Sequence, residues 1–146
     1  MIRKVAHIGI AVKDIDGHLP FYRDILGMKV GERTKVAGQG VEIAFLEVGD
    51  TKIELLQPLD ENANINKFLQ KRGEGQHHIC LEVSDIERVL HELEERGIEL
   101  IDKKPRPGAH GSLVAFIHPR STGGVLIELE EKSGEIRAQG RIADSK

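Results

Sequence analysis

A histidine and a glutamate recur at corresponding positions in the two halves of this 146-residue chain. His7 begins the phrase HIGIAVKDI, and His78 begins HICLEVSDI 71 residues later (78 − 7). Glu54 lies in TKIELL, and Glu128 lies in GVLIELEE 74 residues later (128 − 54). Self-similarity at a nearly fixed spacing indicates an internal duplication. Each half therefore carries one histidine in its first strand and one glutamate in its last.

These four residues could jointly bind a divalent metal. Successive side chains of a strand point to opposite faces, and an Ile or Leu adjoins each of the four residues. If those apolar residues pack on helices, His7, Glu54, His78 and Glu128 all face the other way. Mixed nitrogen and oxygen ligands suit Co, Ni, Mn, Fe or Zn, and four protein ligands leave positions open for a substrate. The ordinary alternative is a structural histidine and a solvated strand glutamate in each half.

The remaining elements follow the same order in both halves. The first half reads as a strand over 4–12, a helix capped by Asp14 or Asp16 and stopped by Gly27, and three strands. A Gly49-Asp50 turn joins the last two strands, and a short helix around Ile65 follows. The second half reads as HHICLEV, a helix capped by Ser84, and the strands IELID, SLVAFIHP and GGVLIELEE.

This order predicts an α+β fold. Two tandem βαβββ modules would form one curved eight-stranded sheet around a metal-binding cleft, with helices on the outer face. We expect a single domain over 1–132, with modules at about 4–59 and 76–131 linked by 60–75. The polar segment 133–146 is expected to be a flexible tail.

Composition narrows the class of protein. The net charge is −3 and no basic run is present, which argues against nucleic acid as a partner. No apolar run is long enough to span a membrane. Cys80 is the only cysteine, so it cannot form an intrachain disulfide, and its strand context predicts a small buried residue. We therefore expect a cytoplasmic enzyme or binding protein.

Several stretches resemble a known family. They are HIGIAVKDI, FYRDILGMKV, GVEIAFLEVGDTKIELLQPL, FLQKRGEGQHHICLEV, GAHGSLVAFIHP and GGVLIELEE. They cover nearly everything from 4 to 131 and resemble the vicinal oxygen chelate superfamily, also called the glyoxalase superfamily. Within it, the chain is similar to the methylmalonyl-CoA epimerases.

The resemblance implies an isomerase that interconverts the (R) and (S) epimers of methylmalonyl-CoA by removing the α-proton through an enolate. It implies metal ligands at His7, Glu54, His78 and Glu128, with Co²⁺ first and Ni²⁺, Mn²⁺ or Zn²⁺ as alternatives. It also places a catalytic base at Glu42, and Glu128 is our candidate for the second acid/base. Alternation along GVEIAF puts Glu42, Ala44 and Leu46 in one row, which we expect to face the metal. A coenzyme A thioester substrate and a homodimer are expected by the same analogy.

Two other functions fit parts of the pattern. A lactoylglutathione lyase-like isomerase would keep the fold and the metal but act on a glutathione hemithioacetal. A metal-free module that binds small molecules would keep only the fold, and the four ligand residues argue against it. An extradiol dioxygenase needs two histidines and one carboxylate, so Glu54 argues against that chemistry.

Overall fold

A computed structural model of the chain describes residues 1–134, and most of the predicted tail 133–146 lies outside them. Its eight strands belong to one mixed sheet. The strands are β1 (Ile2–Ala11), β2 (Lys29–Val36), β3 (Val41–Val48), β4 (Thr51–Pro58), β5 (Gly75–Val83), β6 (Arg106–Pro107), β7 (Leu113–Ile117) and β8 (Ile127–Glu131). The helices are α1 (Ile15–Leu19), which continues as a π-helical segment (Pro20–Ile25), α2 (Ile65–Arg72) and α3 (Ile86–Glu95). Three single 3₁₀ turns complete the described elements.

The chain divides into two compact units. One comprises Val5–Cys80, and the other comprises Met1–Lys4 together with the residues from Leu81 onward. In the first unit the strand order is β2-β3-β4-β1-β5, with β1 parallel to β4 and the β2-β3-β4 pairs antiparallel. In the second unit β8, β7 and β6 are antiparallel neighbours.

The core of the first unit lies between α1 and one face of its strands. Ile15 and Leu19 of α1 pack with Ala44 and Leu46 of β3 and Leu55 of β4. Because alternate residues share a face, this packing also fixes where the other row points. Phe45 and Glu54, which are cross-strand partners, therefore lie on the face away from α1.

The core of the second unit is built in the same way from α3. Ile86 and Leu90 pack with Ala115 of β7 and Leu129 of β8. Leu129 faces α3, so its neighbour Glu128 lies on the opposite face, with Phe116 as its cross-strand partner. The parity predicted for Glu54 and for Glu128 is therefore found within each unit.

The hairpin and the helices mostly follow the predictions, but the caps differ. Gly49 adopts a positive φ of 56° in the turn between β3 and β4, as the sequence indicated. The N-cap of α3 is Asp85, whose carboxylate accepts a hydrogen bond from the Arg88 amide at 3.3 Å, so the prediction of Ser84 was wrong. The N-cap of α1 is Asp14, yet Gln57 of β4 accepts the Ile15 amide instead, at 2.8 Å.

The second strand of the second half is also displaced from its predicted place. Residues 98–102 were expected to be a strand, but instead of a ladder they form an isolated bridge from Leu100 to Ile117 and a few backbone hydrogen bonds, such as the Ile101 amide to the Phe116 carbonyl at 2.9 Å. The short β6 lies instead inside the Pro/Gly segment, at Arg106–Pro107. Asp102 accepts the Phe116 amide at 2.9 Å, and this side-chain bond takes the place of a strand ladder.

Candidate metal centre

Two histidines from different strands meet in the first unit. His7 of β1 and His78 of β5 are each 5% exposed, and their Nε2 atoms are 2.9 Å apart. Their rings meet edge to face with centroids 5.1 Å apart. The duplicated histidines, far apart in sequence, are therefore brought together as the sequence predicted.

Glu54 contacts the other side of the His7 ring. Its Oε2 is 2.9 Å from Nδ1 of His7, and the glutamate is 6% exposed. Glu54 is opposite Gly9 on β1, whose missing side chain leaves room in the same row. The carboxylate therefore orients His7, because a carboxylate accepts the ring N–H and leaves the other ring nitrogen facing His78.

Gly9 is required by the position of His78. A Cβ atom built on Gly9 would lie 2.2 Å from Cε1 and 2.5 Å from Nδ1 of His78, far inside van der Waals contact. The His78 ring thus occupies the space that any other residue at position 9 would fill. Cys80, one step further along the same row of β5, is fully buried as expected.

The donor set fits a divalent ion. Two imidazole nitrogens bound at right angles to one ion, each at about 2.1 Å, would be about 3 Å apart. The Nε2–Nε2 separation of 2.9 Å agrees with that spacing. His7 and His78 could therefore hold a metal, with Glu54 beside them.

Glu128 lies in the second unit and is 3% exposed. A carboxylate is costly to bury unless a cation or hydrogen bonds compensate its charge, so this position is suited to a cation or to a proton-transfer role. The low exposure of Glu128 is thus that of a functional carboxylate.

Glu42 does not lie where strand parity predicted. Its row on β3 contains Ala44 and Leu46, which pack toward α1, and its cross-strand partner is Gln57. The error has a physical reason: both rows of VEIAFL are apolar, so alternation alone could not tell which row meets the helix. The Glu42 carboxylate accepts a hydrogen bond from Nε of Arg33 at 2.8 Å.

Arg33 joins Glu42 to α1. Its guanidinium also donates to Asp16 at 2.6 Å, and the bonds to Asp16 and then Glu42 raise the pKa of Arg33 above its ordinary value. This ion-pair group is half-exposed and was not foreseen from the sequence, because its members lie on three different elements.

A second contact to His78 was also missed. Nδ1 of His77 is 2.9 Å from Nδ1 of His78. The His77 ring packs edge to face on the Phe68 ring of α2, with the ring centroids 4.9 Å apart. The doubled histidine of HHICLEV was the only sequence signal for this contact.

Comparison with known proteins gives the family. A model described as the Glyoxalase/Bleomycin resistance protein/Dioxygenase superfamily matches residues 6–116. An ethylmalonyl-CoA/methylmalonyl-CoA epimerase from Cereibacter sphaeroides is 41% identical over 133 residues, covering 90% of this chain and 99% of the relative.

Solved structures agree over the same extent. A Streptomyces coelicolor methylmalonyl-CoA epimerase variant in complex with 2-nitronate-propionyl-CoA is 33% identical, with a TM-score of 0.85, covering 92% of this chain and 97% of that one. A methylmalonyl-CoA epimerase in complex with methylmalonyl-CoA and NH4+ has the same identity, TM-score and coverage. The predicted fold class is thereby confirmed. Across residues 1–134, no helix is long and apolar enough to cross a bilayer. The chain belongs to the glyoxalase/bleomycin resistance protein/dioxygenase superfamily and, within it, to the methylmalonyl-CoA epimerase family.

Proposed function

We propose that this chain is an isomerase that interconverts the (R) and (S) epimers of methylmalonyl-CoA. The observation that carries the proposal is the buried pair His7–His78. It belongs to a chain that matches epimerases over 90% of its length. The relatives named above act on or bind coenzyme A thioesters of this kind. A coenzyme A thioester is accordingly the proposed substrate class.

The reaction requires removal of a proton from the carbon between a carboxylate and a thioester carbonyl. A bound divalent ion supplies Lewis-acid stabilisation of the developing enolate charge, which contributes several kcal/mol. We propose that His7, Glu54, His78 and Glu128 form the centre for this ion, Co²⁺ first, with Ni²⁺, Mn²⁺ or Zn²⁺ as alternatives. Because the Glu54 carboxylate lies 2.9 Å from Nδ1 of His7, the geometry favours an orienting role for Glu54 over direct ligation. The buried imidazoles and the small Gly9 support this assignment.

Glu128 and Glu42 are the proposed acid/base residues. Inversion needs proton transfer on both faces of a planar enolate, so either two groups or one mobile group must act. The burial of Glu128, on the side of β8 away from α3, supports its role. The support for Glu42 is the family resemblance, while its register toward α1 and its bond to Arg33 argue for a structural role. Mutation decides between these roles.

Hydrogen exchange tests the proposal. In deuterated water, (S)- or (R)-methylmalonyl-CoA should take up deuterium at the α-carbon, and a chelator should stop the uptake until Co²⁺ is added back. Glu42→Gln and Glu128→Gln should each reduce exchange by about 100-fold or more if the residue moves the proton. Glu47→Gln is the matched control, because Glu47 lies on the same strand and its exposed carboxylate is 3.7 Å from the Lys29 ammonium.

The outcomes separate the rival functions. If methylmalonyl-CoA takes up no deuterium but a glutathione hemithioacetal is turned over, the protein catalyses the lyase-like reaction. Absence of both reactions, with no bound metal, would assign a binding module. If Glu42→Gln keeps full exchange while Glu128→Gln loses it, the base is not Glu42, and the Arg33 pair is structural.

Assembly and location complete the proposal. We propose a homodimer, because Phe21, Ile25 and Leu26 expose half or more of their surface on one helical segment. Light scattering should then give twice the chain mass of 16.2 kDa. A cytoplasmic location is also proposed; the single Cys80 is consistent with a reducing compartment, and fractionation of the native cell tests it.

A further inference from the structure

The His78 ring has a nitrogen partner on each side. Its Nε2 faces Nε2 of His7, and its Nδ1 faces Nδ1 of His77, with both separations at 2.9 Å. Beyond His7 the series continues to Glu54, whose Oε2 is 2.9 Å from Nδ1 of His7. Three imidazoles and one carboxylate therefore form a continuous hydrogen-bonded series within Val5–Cys80.

The carboxylate sets the direction of this hydrogen-bonded series. An ionised carboxylate only accepts, so His7 carries its proton on Nδ1 and presents a lone pair at Nε2. For neutral rings, His78 must then donate from Nε2 and accept at Nδ1. That in turn requires His77 to donate from Nδ1.

Binding of a cation reverses part of this arrangement. A metal ligand must present a lone pair, so His78 cannot keep its proton on Nε2 when that nitrogen binds the ion. The proton must instead be on Nδ1, where it needs an acceptor. The neighbouring Nδ1 of His77 becomes that acceptor if His77 carries its own proton on Nε2. Each ring keeps one proton throughout.

We infer that His77 is a positioning residue that sets the tautomer of His78 and exchanges its own tautomer when the metal binds. This inference rests on the metal site of the proposed function. Ligating histidines almost always donate their other ring N–H to an oriented partner, and loss of such partners costs about 10–100-fold in metal affinity. A neutral imidazole is suited to the task because one atom, Nδ1, can either donate or accept.

The surroundings of His77 hold the ring in place. Phe68 packs against it edge to face at 4.9 Å and an interplanar angle of 81°. The Arg72 guanidinium lies over the Phe68 ring, 5.8 Å from its centroid, so two side chains of α2 pack in series behind His77. Packing on α2 therefore maintains the orientation of the His77 ring.

Two substitutions at position 77 separate packing from hydrogen bonding. His77→Phe keeps an aromatic ring against Phe68 but removes both nitrogens. His77→Asn has a side-chain amide that can donate or accept, depending on which end faces His78. His91→Phe is the control, because His91 is an exposed residue of α3 that pairs with Glu95.

The experiment combines titration calorimetry with ¹⁵N NMR of the histidine rings, using Zn²⁺ as a diamagnetic probe at constant pH. On Zn²⁺ addition to the wild type, the His77 ring should change from the Nδ1-H to the Nε2-H tautomer. The His78 ring should change from the Nε2-H to the Nδ1-H tautomer. His77→Phe should weaken Zn²⁺ binding about 10–100-fold, while His77→Asn restores most of the affinity and His91→Phe leaves it unchanged. Thermal unfolding of the metal-free variants should stay close to wild type.

The result also distinguishes this inference from the metal site itself. If the wild-type protein binds no Zn²⁺ or Co²⁺, the proposed metal site is wrong. If the wild type binds the metal but the His77 signals keep their original tautomer, or His77→Phe binds as tightly, then the metal site stands and the role of His77 is refuted.

Discussion

Gly9 is the residue whose smallness the site depends on most directly. Glycine normally weakens a strand, because it has no side chain to pack and loses much conformational freedom on folding. Here the His78 ring fills the space next to the Gly9 Cα, and that ring is one of the two whose nitrogens face each other. The cost of a strand glycine is thus offset by the placement of an imidazole.

Gly9→Ala should therefore destabilise the protein, although alanine usually stabilises a strand relative to glycine. The new methyl group would overlap His78, and overpacking of this kind costs about 1–3 kcal/mol of unfolding free energy. Urea denaturation measures that loss, and Co²⁺ titration should show weaker binding. Gly38→Ala is the matched control, because the space around Gly38 is open and its unfolding free energy should change by no more than about 0.5 kcal/mol. Equal effects of the two substitutions would contradict this explanation.

At the scale of elements, one glutamate ties together three segments of the first unit. Glu74 lies in the connection between α2 and β5, just before the two histidines. Its Oε2 accepts hydrogen bonds from the Lys13 amide, after β1, and from Nε2 of His18 in α1, both at 2.8 Å. These bonds hold the pKa of Glu74 below its ordinary value of 4.5.

The lowered pKa predicts a pH dependence of stability. The folded protein binds this proton more weakly than the unfolded chain, so Glu74 stabilises the fold above pH 4.5. That contribution should vanish as the pH falls through the lower pKa of the folded state. Glu74→Gln, compared with wild type by urea denaturation from pH 7 to pH 3, should show a stability difference that shrinks on acidification. Asn62→Ala, at an exposed, non-titratable position of the connector before α2, should show no such trend. A Glu74→Gln difference that grows toward low pH would overturn the prediction.

At the scale of the whole molecule, the duplication extends from the site into both cores. The residues that pack α1 onto its strands and those that pack α3 onto its strands are related by the same spacings as the histidines and glutamates. The corresponding pairs are Val12/Val83, Ile15/Ile86, Leu19/Leu90, Ala44/Ala115, Leu46/Ile117 and Leu55/Leu129. Each half therefore carries the same solution for packing a helix on a sheet.

Equivalent core truncations should have similar effects. Leu55 is 0% exposed and Leu129 is 1% exposed, so Leu55→Ala and Leu129→Ala should each lower the unfolding free energy by about 2–5 kcal/mol. Ile101→Ala, at a position 50% exposed, should change it little. We propose that residues 1–132 unfold as one domain, in which case both truncations shift a single transition by fluorescence or circular dichroism. Two separate transitions, each sensitive to one substitution, would refute that proposal.

Much of the architecture could be predicted because local periodicity in the sequence indicates the strands, helices and turns. Strand alternation, the Gly49-Asp50 turn and the repeated His and Glu positions depend on neighbours within a few residues. Comparison of the two halves then added the long-range information that a single pattern lacks. The meeting of His7 with His78 was predicted for this reason and is found.

The failures occurred where two local choices had similar energies. Both rows of β3 are apolar, so only packing against α1 decides that Ala44 and Leu46 face the helix. Glu42 belongs to the same row and therefore has the same orientation. Ser84 and Asp85 are both favourable N-cap residue types. Asp85 is the N-cap because its backbone has the extended conformation typical of that position (φ −145°, ψ 91°). The strand expected at 98–102 gave way to β6, because Asp102 bonds directly to the Phe116 amide.

By itself, the sequence determined the duplicated order of strands and helices and which residue types could bind a metal. The tertiary structure alone decided the contacts of His78, because Gly9 and His7 approach it from another strand and α2 supports its neighbour His77. The physical reason is that periodicity reports on which side of an element a residue lies. Contact between atoms depends on how close a second element comes, and that distance is set by the packing of the fold.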